Sequence, residues 1–260
     1  MRNPFSPRTL KSSLSPTVSN ATTLDTQFVS MIAHEMRAPL ATIRGAVGLL
    51  TEHHDRLQPD RRSELLEVID DATIQVDRVI QDLMVLSRLN DGELSFEPEP
   101  LDLVKIVRDA ARALNSRYPN RTITIAPQDD VPDVRADAIR TRQIVNNLIA
   151  NAIGYSEGST DVIVSIVTKG NAVRTSVYNE GHGIAPSEQS KLFLPFAMLA
   201  ERTAESTGLG LFIAKGLVEA MNGDIGFTSE PGENAVFWFS LPIAAARAPH
   251  SDDYRANVLN

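Results

Sequence analysis

Apolar residues recur with a seven-residue period between residues 59 and 89, and this pattern constrains the fold more than any other feature. The spacing alternates between four and three residues without a slip through Leu65, Ile69, Ala72, Val76, Val79, Leu83 and Leu86. A seven-residue repeat is the period of helices that pack in a supercoil. It predicts one long helix that runs to about Leu89. We expect this helix to open at Pro59, because the first helical position needs no N–H donor.

A second apolar stripe precedes this helix, between residues 25 and 53. Its members are three or four residues apart and fall on one side of a helix: Phe28, Ile32, Met36, Leu40, Ile43, Val47 and Leu50. Two long helices with one apolar seam each form a hairpin that cannot bury its own seam. Pairing two hairpins into a four-helix bundle solves this problem, so we expect a homodimer.

The pattern changes after Asn90-Asp91-Gly92, where we place a domain boundary. Helical periods then alternate with short strand-like runs. Helices are predicted over 103–114, 139–153 and 209–221, and strands over 122–125, 162–167, 173–178, 225–229 and 236–241. This order indicates an α+β sandwich with helices on one face of a largely antiparallel sheet. The predicted organisation is a flexible tail over 1–24, a helical hairpin over 25–91, the sandwich over 92–244 and a second flexible tail over 245–260.

Composition excludes several classes of function. The 260 residues include no cysteine, which rules out disulfide frameworks, zinc–thiolate sites and cysteine nucleophiles. Acidic residues outnumber basic ones by 33 to 25, a formal charge of −8 that argues against nucleic acid as a partner. No apolar run reaches the roughly 18 residues that span a bilayer, and no secretion signal opens the chain. We therefore expect a cytoplasmic location and no membrane span.

His34 is the first candidate for chemistry. It lies on the side of its helix opposite the apolar stripe, so the ring should face water. Glu35 follows directly and can orient one ring nitrogen or take its proton, which leaves the other nitrogen nucleophilic. Arg37 can steady the charge of a phosphoryl group. Pro39 cannot bond the carbonyl of Glu35, so we expect the helix to bend below the histidine.

The second set of candidates lies in the sandwich domain. Asn147 and Asn151 are four residues apart, which places both carboxamides on one helix face, and amide oxygens suit Mg²⁺. Two glycine-containing segments follow, at 179–184 (NEGHGI) and 207–211 (TGLGL). Each glycine pair lets the backbone approach a ligand closely, and the second pair opens a helix whose N–H groups favour phosphate.

Together these segments resemble the sensor histidine kinases, which join a HisKA dimerisation domain to a GHKL-type (Bergerat) ATPase domain. FVSMIAHEMRAPLATIRG is similar to the H box of that family, and RQIVNNLIANAIGYS to its N box. VYNEGHGI, KLFLPF and STGLGLFIAKGLVEAMNGDI are similar to its first glycine box, F box and second glycine box. The match runs from about residue 28 to residue 242, in the order and spacing of the family.

The resemblance implies that His34 is phosphorylated from ATP and that the phosphoryl group then passes to an aspartate of a response regulator. Glu35 would assist as base or orienter. Asn147 and Asn151 would hold Mg²⁺, with Asn151 the surer ligand by position. The nucleotide pocket would be formed by both asparagines together with Tyr155, Asn179, Gly181, Gly183, Ile184, Thr207, Gly208, Leu209, Gly210 and Leu211, under a lid over 197–207.

The sequence departs from the family pattern at four places. Asn179 replaces the usual aspartate that accepts a hydrogen bond from the adenine amino group, which weakens that bond by about 1 kcal/mol. Gly154 replaces a cation that often faces the phosphates. Met221-Asn222-Gly223 replaces a His-Gly-Gly sequence, a change without an expected chemical effect. Ala38 replaces a threonine or asparagine that orients water for removal of phosphate from the regulator.

Two other functions compete with the kinase. In the first, the chain is a non-catalytic dimeric adaptor that relays phosphate or docks a partner while its ATPase domain is degenerate, as the changes at Asn179 and Gly154 would suggest. In the second, it is an ATPase clamp such as a chaperone. The clamp explains the second domain but neither the seven-residue repeat nor the His-Glu pair with its downstream proline.

Overall fold

The computed structural model describes residues 18–53, 56–91, 94–156, 160–197 and 208–245. Contacts divide the chain into two compact units, the first over residues 1–79 and the second over residues 80–260. Each unit is described below by itself. The predicted domain boundary near residue 91 lies about ten residues after this division. Residues 80–91 are therefore grouped with the second unit, and the predicted domain bounds stay a prediction.

Two long helices open the chain, α1 (Val18–Glu52) and α2 (Pro59–Asn90). Helix α2 begins at the predicted proline and ends one residue after its predicted end. Helix α1 begins earlier than predicted, so residues 18–24 of the expected flexible tail are helical, while residues 1–17 lie outside the described part. No proline or glycine stands between Val18 and the apolar stripe, so nothing local interrupts the helix. Pro39 lies inside α1, which continues through it.

The predicted seam of α2 is confirmed, because its members are alternately buried and half-buried along the helix. The seam of α1 is displaced from the prediction. Ala46 is only 4% exposed and Pro39 is buried, whereas Leu40 and Val47 are 47% and 46% exposed. The buried line therefore follows positions 32, 36, 39, 43, 46 and 50, again with alternating steps of four and three. Leu40 and Val47 lie one position further round the helix, on its open flank.

The second unit contains a five-stranded sheet and a two-stranded sheet. The strands are β1 (Glu99–Leu101), β2 (Ile123–Pro127), β3 (Val134–Ala136), β4 (Val162–Lys169), β5 (Ala172–Glu180), β6 (Asp224–Glu230) and β7 (Asn234–Pro242). The large sheet has the order β2-β4-β5-β7-β6, with only β2 and β4 parallel, and β1 pairs with β3. This confirms the largely antiparallel sheet, including the β4–β5 hairpin that turns at Gly170 with φ +60°.

Four helices of the described residues lie wholly within this unit: α3 (Leu103–Arg117), α4 (Ala138–Tyr155), the short α5 (Pro186–Gln189) and α6 (Gly210–Ala220). Alternate residues of β4, β5 and β7 are buried, and α4 contacts all three strands, so the core lies between one face of the sheet and the helices. Helix α4 is capped by Asp137, which accepts a hydrogen bond from Arg140 N at 3.0 Å. Strands β1 and β3 and helix α5 were not predicted, because three or four residues carry no readable period.

Candidate functional site

Helix α4 carries the predicted asparagine pair. Asn147 and Asn151 are one turn apart and both are half-buried. The Nδ2 atom of Asn147 donates to the carbonyl oxygen of Gly210 at 3.0 Å. This bond assigns the nitrogen and oxygen of the carboxamide, and the oxygen is the atom that can coordinate a cation.

The first glycine segment follows β5 and packs against the end of α4. A Cβ atom on Gly181 would overlap the carbonyl oxygen of Tyr155. Gly183 has φ +61°, and a Cβ atom there would overlap the carbonyl oxygen of Glu230. Both glycines are therefore required by the close approach of the chain's own backbone, a reason additional to the ligand approach that the sequence suggested.

The second glycine segment leads into α6. Gly208 has φ +68°, and a Cβ atom there would lie 2.9 Å from the Cα of Phe196, whose N–H donates to the carbonyl of Gly208 at 2.9 Å. Leu209 is 1% exposed and precedes the first helical residue, Gly210, with no side-chain cap on the helix. The absence of a side-chain cap is compatible with an anion at the start of α6, and the predicted role of these N–H groups toward phosphate stays a prediction.

Asn179 is the last buried residue of β5 and lies on its inner face, beside the first glycine segment. Its side chain is 3% exposed, and its Oδ1 atom is buried without a hydrogen-bond partner among the residues that the structure describes. A buried acceptor in this state is costly unless a ligand or water satisfies it. Tyr178, the preceding residue, faces the opposite side of the sheet, since side chains alternate along a strand.

Helix α4 contacts both glycine segments. Asn147 bonds to the carbonyl of Gly210 at the start of α6, and the carbonyl of Tyr155 at the end of α4 lies close to Gly181. Leu211 is half-buried in the first turn of α6. Thr207 and positions 198–207 of the predicted lid lie outside the described residues. In the described ranges no group of three or more histidine, aspartate or glutamate side chains could hold a metal, so a cation here would need carboxamide and ligand oxygens.

Three features of this site were not predicted. Ile184 is 2% exposed, and its N–H donates to Ser229 Oγ at 2.9 Å, which in turn donates to the carbonyl of Asn234 at 2.7 Å. The N–H of Gly232 donates to the carbonyl of His182 at 2.7 Å. The β6–β7 hairpin thus fixes the first glycine segment. The third feature is the bond from Phe196 to Gly208. A sequence signal for these bonds is lacking, because each joins segments that only the folded chain brings together.

The first unit carries the other predicted residue. His34 is exposed on α1, as the helical wheel predicted, and Glu35 beside it is half-buried. Arg37 and Ala38 are exposed on the next turn. An exposed imidazole can act as a nucleophile toward an incoming group.

Two family models match the chain, one in each region. The model "His Kinase A (phospho-acceptor) domain" matches residues 24–92, and the model "Histidine kinase-, DNA gyrase B-, and HSP90-like ATPase" matches residues 136–245. The chain belongs to the histidine kinase family. The first match covers His34, and the second covers the asparagine pair and both glycine segments.

Curated relatives of this chain include histidine kinases. They include the probable sensor histidine kinase TcrY of Mycobacterium tuberculosis, 33% identical over 84% of this chain and 46% of TcrY. The signal transduction histidine-protein kinase BarA of Escherichia coli is 31% identical over 86% of this chain and 25% of BarA. The chain thus spans less than half the length of these relatives.

Solved histidine kinases share the fold of this chain. Full-length ShkA in complex with AMPPNP matches with a TM-score of 0.61 and 29% identity over 86% of this chain and 47% of ShkA. AdeS of Acinetobacter baumannii matches with a TM-score of 0.61 and 22% identity over 82% of this chain and 98% of that chain. These matches confirm the predicted helical hairpin followed by a GHKL-type ATPase domain. Among the described helices, none has the length and apolarity to cross a bilayer.

Proposed function

We propose that this chain binds ATP with Mg²⁺ in the second unit, autophosphorylates His34, and passes the phosphoryl group to an aspartate of a response regulator. The observation that carries the proposal is the contact of α4, the helix that holds the asparagine pair, with both glycine segments, in a chain that also presents an exposed His34. The intact geometry of these segments argues against the degenerate adaptor. The HisKA match disfavours a bare ATPase clamp.

The residues of the second unit would bind the nucleotide and its cation. Asn151 and the oxygen of Asn147 would hold Mg²⁺, which when bound draws charge from the phosphates. The uncapped start of α6 would bind phosphate oxygens, and Asn179 would contact the base. Positioning and charge neutralisation carry most of the rate in phosphoryl transfer, so these contacts matter more than covalent assistance.

The transfer itself requires one bond to form and one to break. A ring nitrogen of His34 attacks the γ-phosphorus, the bond from that phosphorus to the ADP oxygen breaks, and ADP leaves. The ring loses a proton in the process, and Glu35 lies next to it in sequence as the acceptor or as the group that orients the ring. The product is a phosphohistidine that a receiver aspartate can attack.

A homodimer follows from the apolar surface of the long helices. Leu40 and Val47 of α1 and Leu66 of α2 are 47%, 46% and 56% exposed in a single chain. Exposed apolar side chains repeated along a helix call for a covering surface, and a second hairpin supplies a matching one. The HisKA match supports this arrangement.

The partner that receives the phosphoryl group is proposed from a relative. The histidine kinase ThkA was solved in complex with a response regulator protein, TrrA, and matches with a TM-score of 0.60 and 22% identity over 88% of this chain and 64% of that chain. We infer a receiver domain as the partner here, with the reaction in the cytoplasm, where ATP is supplied.

Labelling with γ-³²P-ATP and Mg²⁺ tests the proposal. The wild-type chain should incorporate alkali-stable, acid-labile label, and the variant His34→Gln should incorporate none. His53→Gln is the matched control, since His53 is also exposed and follows the end of the same helix. Equal labelling of wild type and His34→Gln would remove the proposed acceptor.

A further inference from the structure

Asn179 presents a different chemistry from the carboxylate that the family resemblance leads one to expect. A carboxylate only accepts hydrogen bonds, whereas a carboxamide carries an acceptor and a donor of nearly the same shape. Rotation of the carboxamide by half a turn exchanges the two atoms without changing the volume it fills.

The surroundings of Asn179 do not lock the carboxamide in one orientation. Its Oδ1 atom is buried with no hydrogen-bond partner in the described part of the chain, and the side chain as a whole is 3% exposed. Its Nδ2 atom points along the Gly181 side, 3.6 Å from the position that a Cβ atom of Gly181 would take. No described protein group therefore satisfies the acceptor, and the hydrogen bond to a bound base would set which atom of the carboxamide faces that base.

We propose that Asn179 makes this pocket tolerant of 6-oxopurine nucleotides as well as adenine nucleotides, an inference that rests on the proposed nucleotide site. Toward a 6-amino group the oxygen of Asn179 accepts a hydrogen bond. Toward a 6-oxo group the turned carboxamide donates one. An aspartate at this position would instead bring two acceptors together and leave both unsatisfied, which is how polar sites reject a wrong ligand.

The test compares the binding of ADP and IDP, neither of which carries a transferable γ-phosphate. Their bases differ at two positions only: ADP has an unprotonated N1 and a 6-amino group, whereas IDP has N1–H and a 6-oxo group. Their dissociation constants are measured by calorimetry with Mg²⁺ on the full chain. For the wild type we expect the ratio Kd(IDP)/Kd(ADP) to be within about fivefold of one. For Asn179→Asp the ratio should rise at least about tenfold, because the carboxylate accepts from ADP and repels IDP. GDP, measured in parallel, adds the 2-amino group and reports whether the pocket also admits that substituent.

Two further variants and a folding measurement serve as controls. Asn171→Asp in the β4–β5 turn adds the same charge outside the pocket and should leave the ratio unchanged. Asn179→Ala removes both polar atoms, so both nucleotides should weaken together and the ratio should stay near the wild-type value. Thermal unfolding checks that each variant is folded, and Asn179→Ala carries the test if the buried carboxylate prevents folding. An alanine variant in which only ADP binding weakens would then overturn the inference.

The results separate this inference from the proposed function. A wild-type chain that binds ADP but excludes IDP as strongly as Asn179→Asp does overturns the inference alone. A wild-type chain that binds neither nucleotide overturns the proposed nucleotide site itself.

Discussion

Replacing Gly183 with alanine should damage the first glycine segment through its backbone, and Gly170 provides a matched control. Both glycines have positive φ, +61° and +60°, but a Cβ atom on Gly170 has nothing within 4 Å, whereas one on Gly183 would overlap the carbonyl of Glu230. The left-handed conformation costs an alanine about 1–2 kcal/mol, and the lost freedom of the unfolded chain returns about 0.4–1 kcal/mol. Gly170→Ala should therefore destabilise the fold by about 1 kcal/mol.

Gly183→Ala carries an additional steric cost. Glu230 ends β6 and is paired with Asn234 of β7, so its carbonyl cannot retreat without disturbing the hairpin. The bond from the N–H of Gly232 to the carbonyl of His182 would be disturbed as well. We expect a total loss of about 2–4 kcal/mol, from strain plus one or two weakened hydrogen bonds.

Urea unfolding of the three proteins measures these losses, and calorimetry with ADP and Mg²⁺ measures the effect on the pocket. Gly183→Ala should lose stability beyond Gly170→Ala and bind ADP more weakly, while Gly170→Ala should bind ADP like the wild type. Equal destabilisation by the two substitutions, with ADP affinity unchanged in both, would refute the close approach of Gly183 to Glu230.

Three other predictions concern single side chains. Asn151→Ala should weaken Mg²⁺-dependent ADP binding on the order of tenfold by removing a cation ligand, which titration with and without Mg²⁺ would show; affinity that stays the same speaks against this ligand. Burial, and then the neighbouring Glu180, raise the pKa of Tyr178 above its ordinary value, so Glu180→Gln should lower it in a titration at 295 nm assigned with Tyr178→Phe. The folded state holds the phenol proton of Tyr178 more tightly than the unfolded state does. The contribution of this proton to folding stability is therefore present below about pH 10 and is lost as the pH rises through the raised pKa. A Glu180→Gln variant that titrates like the wild type would contradict this. Ala38→Thr should raise dephosphorylation of a cognate receiver domain, and unchanged loss of phosphate would show that the position has no such role.

Local pattern was enough to predict most of the fold. The seven-residue repeat located α2 to within a residue, because buried positions on a supercoiled helix must follow that period. The stripe of α1 was displaced by one position at Leu40 and Val47, because Pro39 and Ala46 take the buried line in the single chain. A hydrophobic stripe shows which side of a helix is apolar without showing which neighbour covers each part of it.

The sequence supplied the residues proposed for the candidate site, which stay a prediction, but not the hydrogen bonds that support them. Asparagine spacing and glycine pairs point to a nucleotide pocket from sequence alone. The bond from Ile184 to Ser229 was missed because it joins residues brought together only by the register of β6 and β7. The unsatisfied Oδ1 of Asn179 could not be foreseen either, because the burial of a strand residue depends on what packs against the sheet.

Mass spectrometry at neutral pH tests the central claim most directly. The full chain is incubated with ATP and Mg²⁺, digested without acid, and mapped for phosphopeptides. We predict one acid-labile phosphoryl group on the peptide that contains His34, absent when Mg²⁺ is chelated. A phosphoryl group on another residue, or none on a folded chain that binds ADP, would contradict the account.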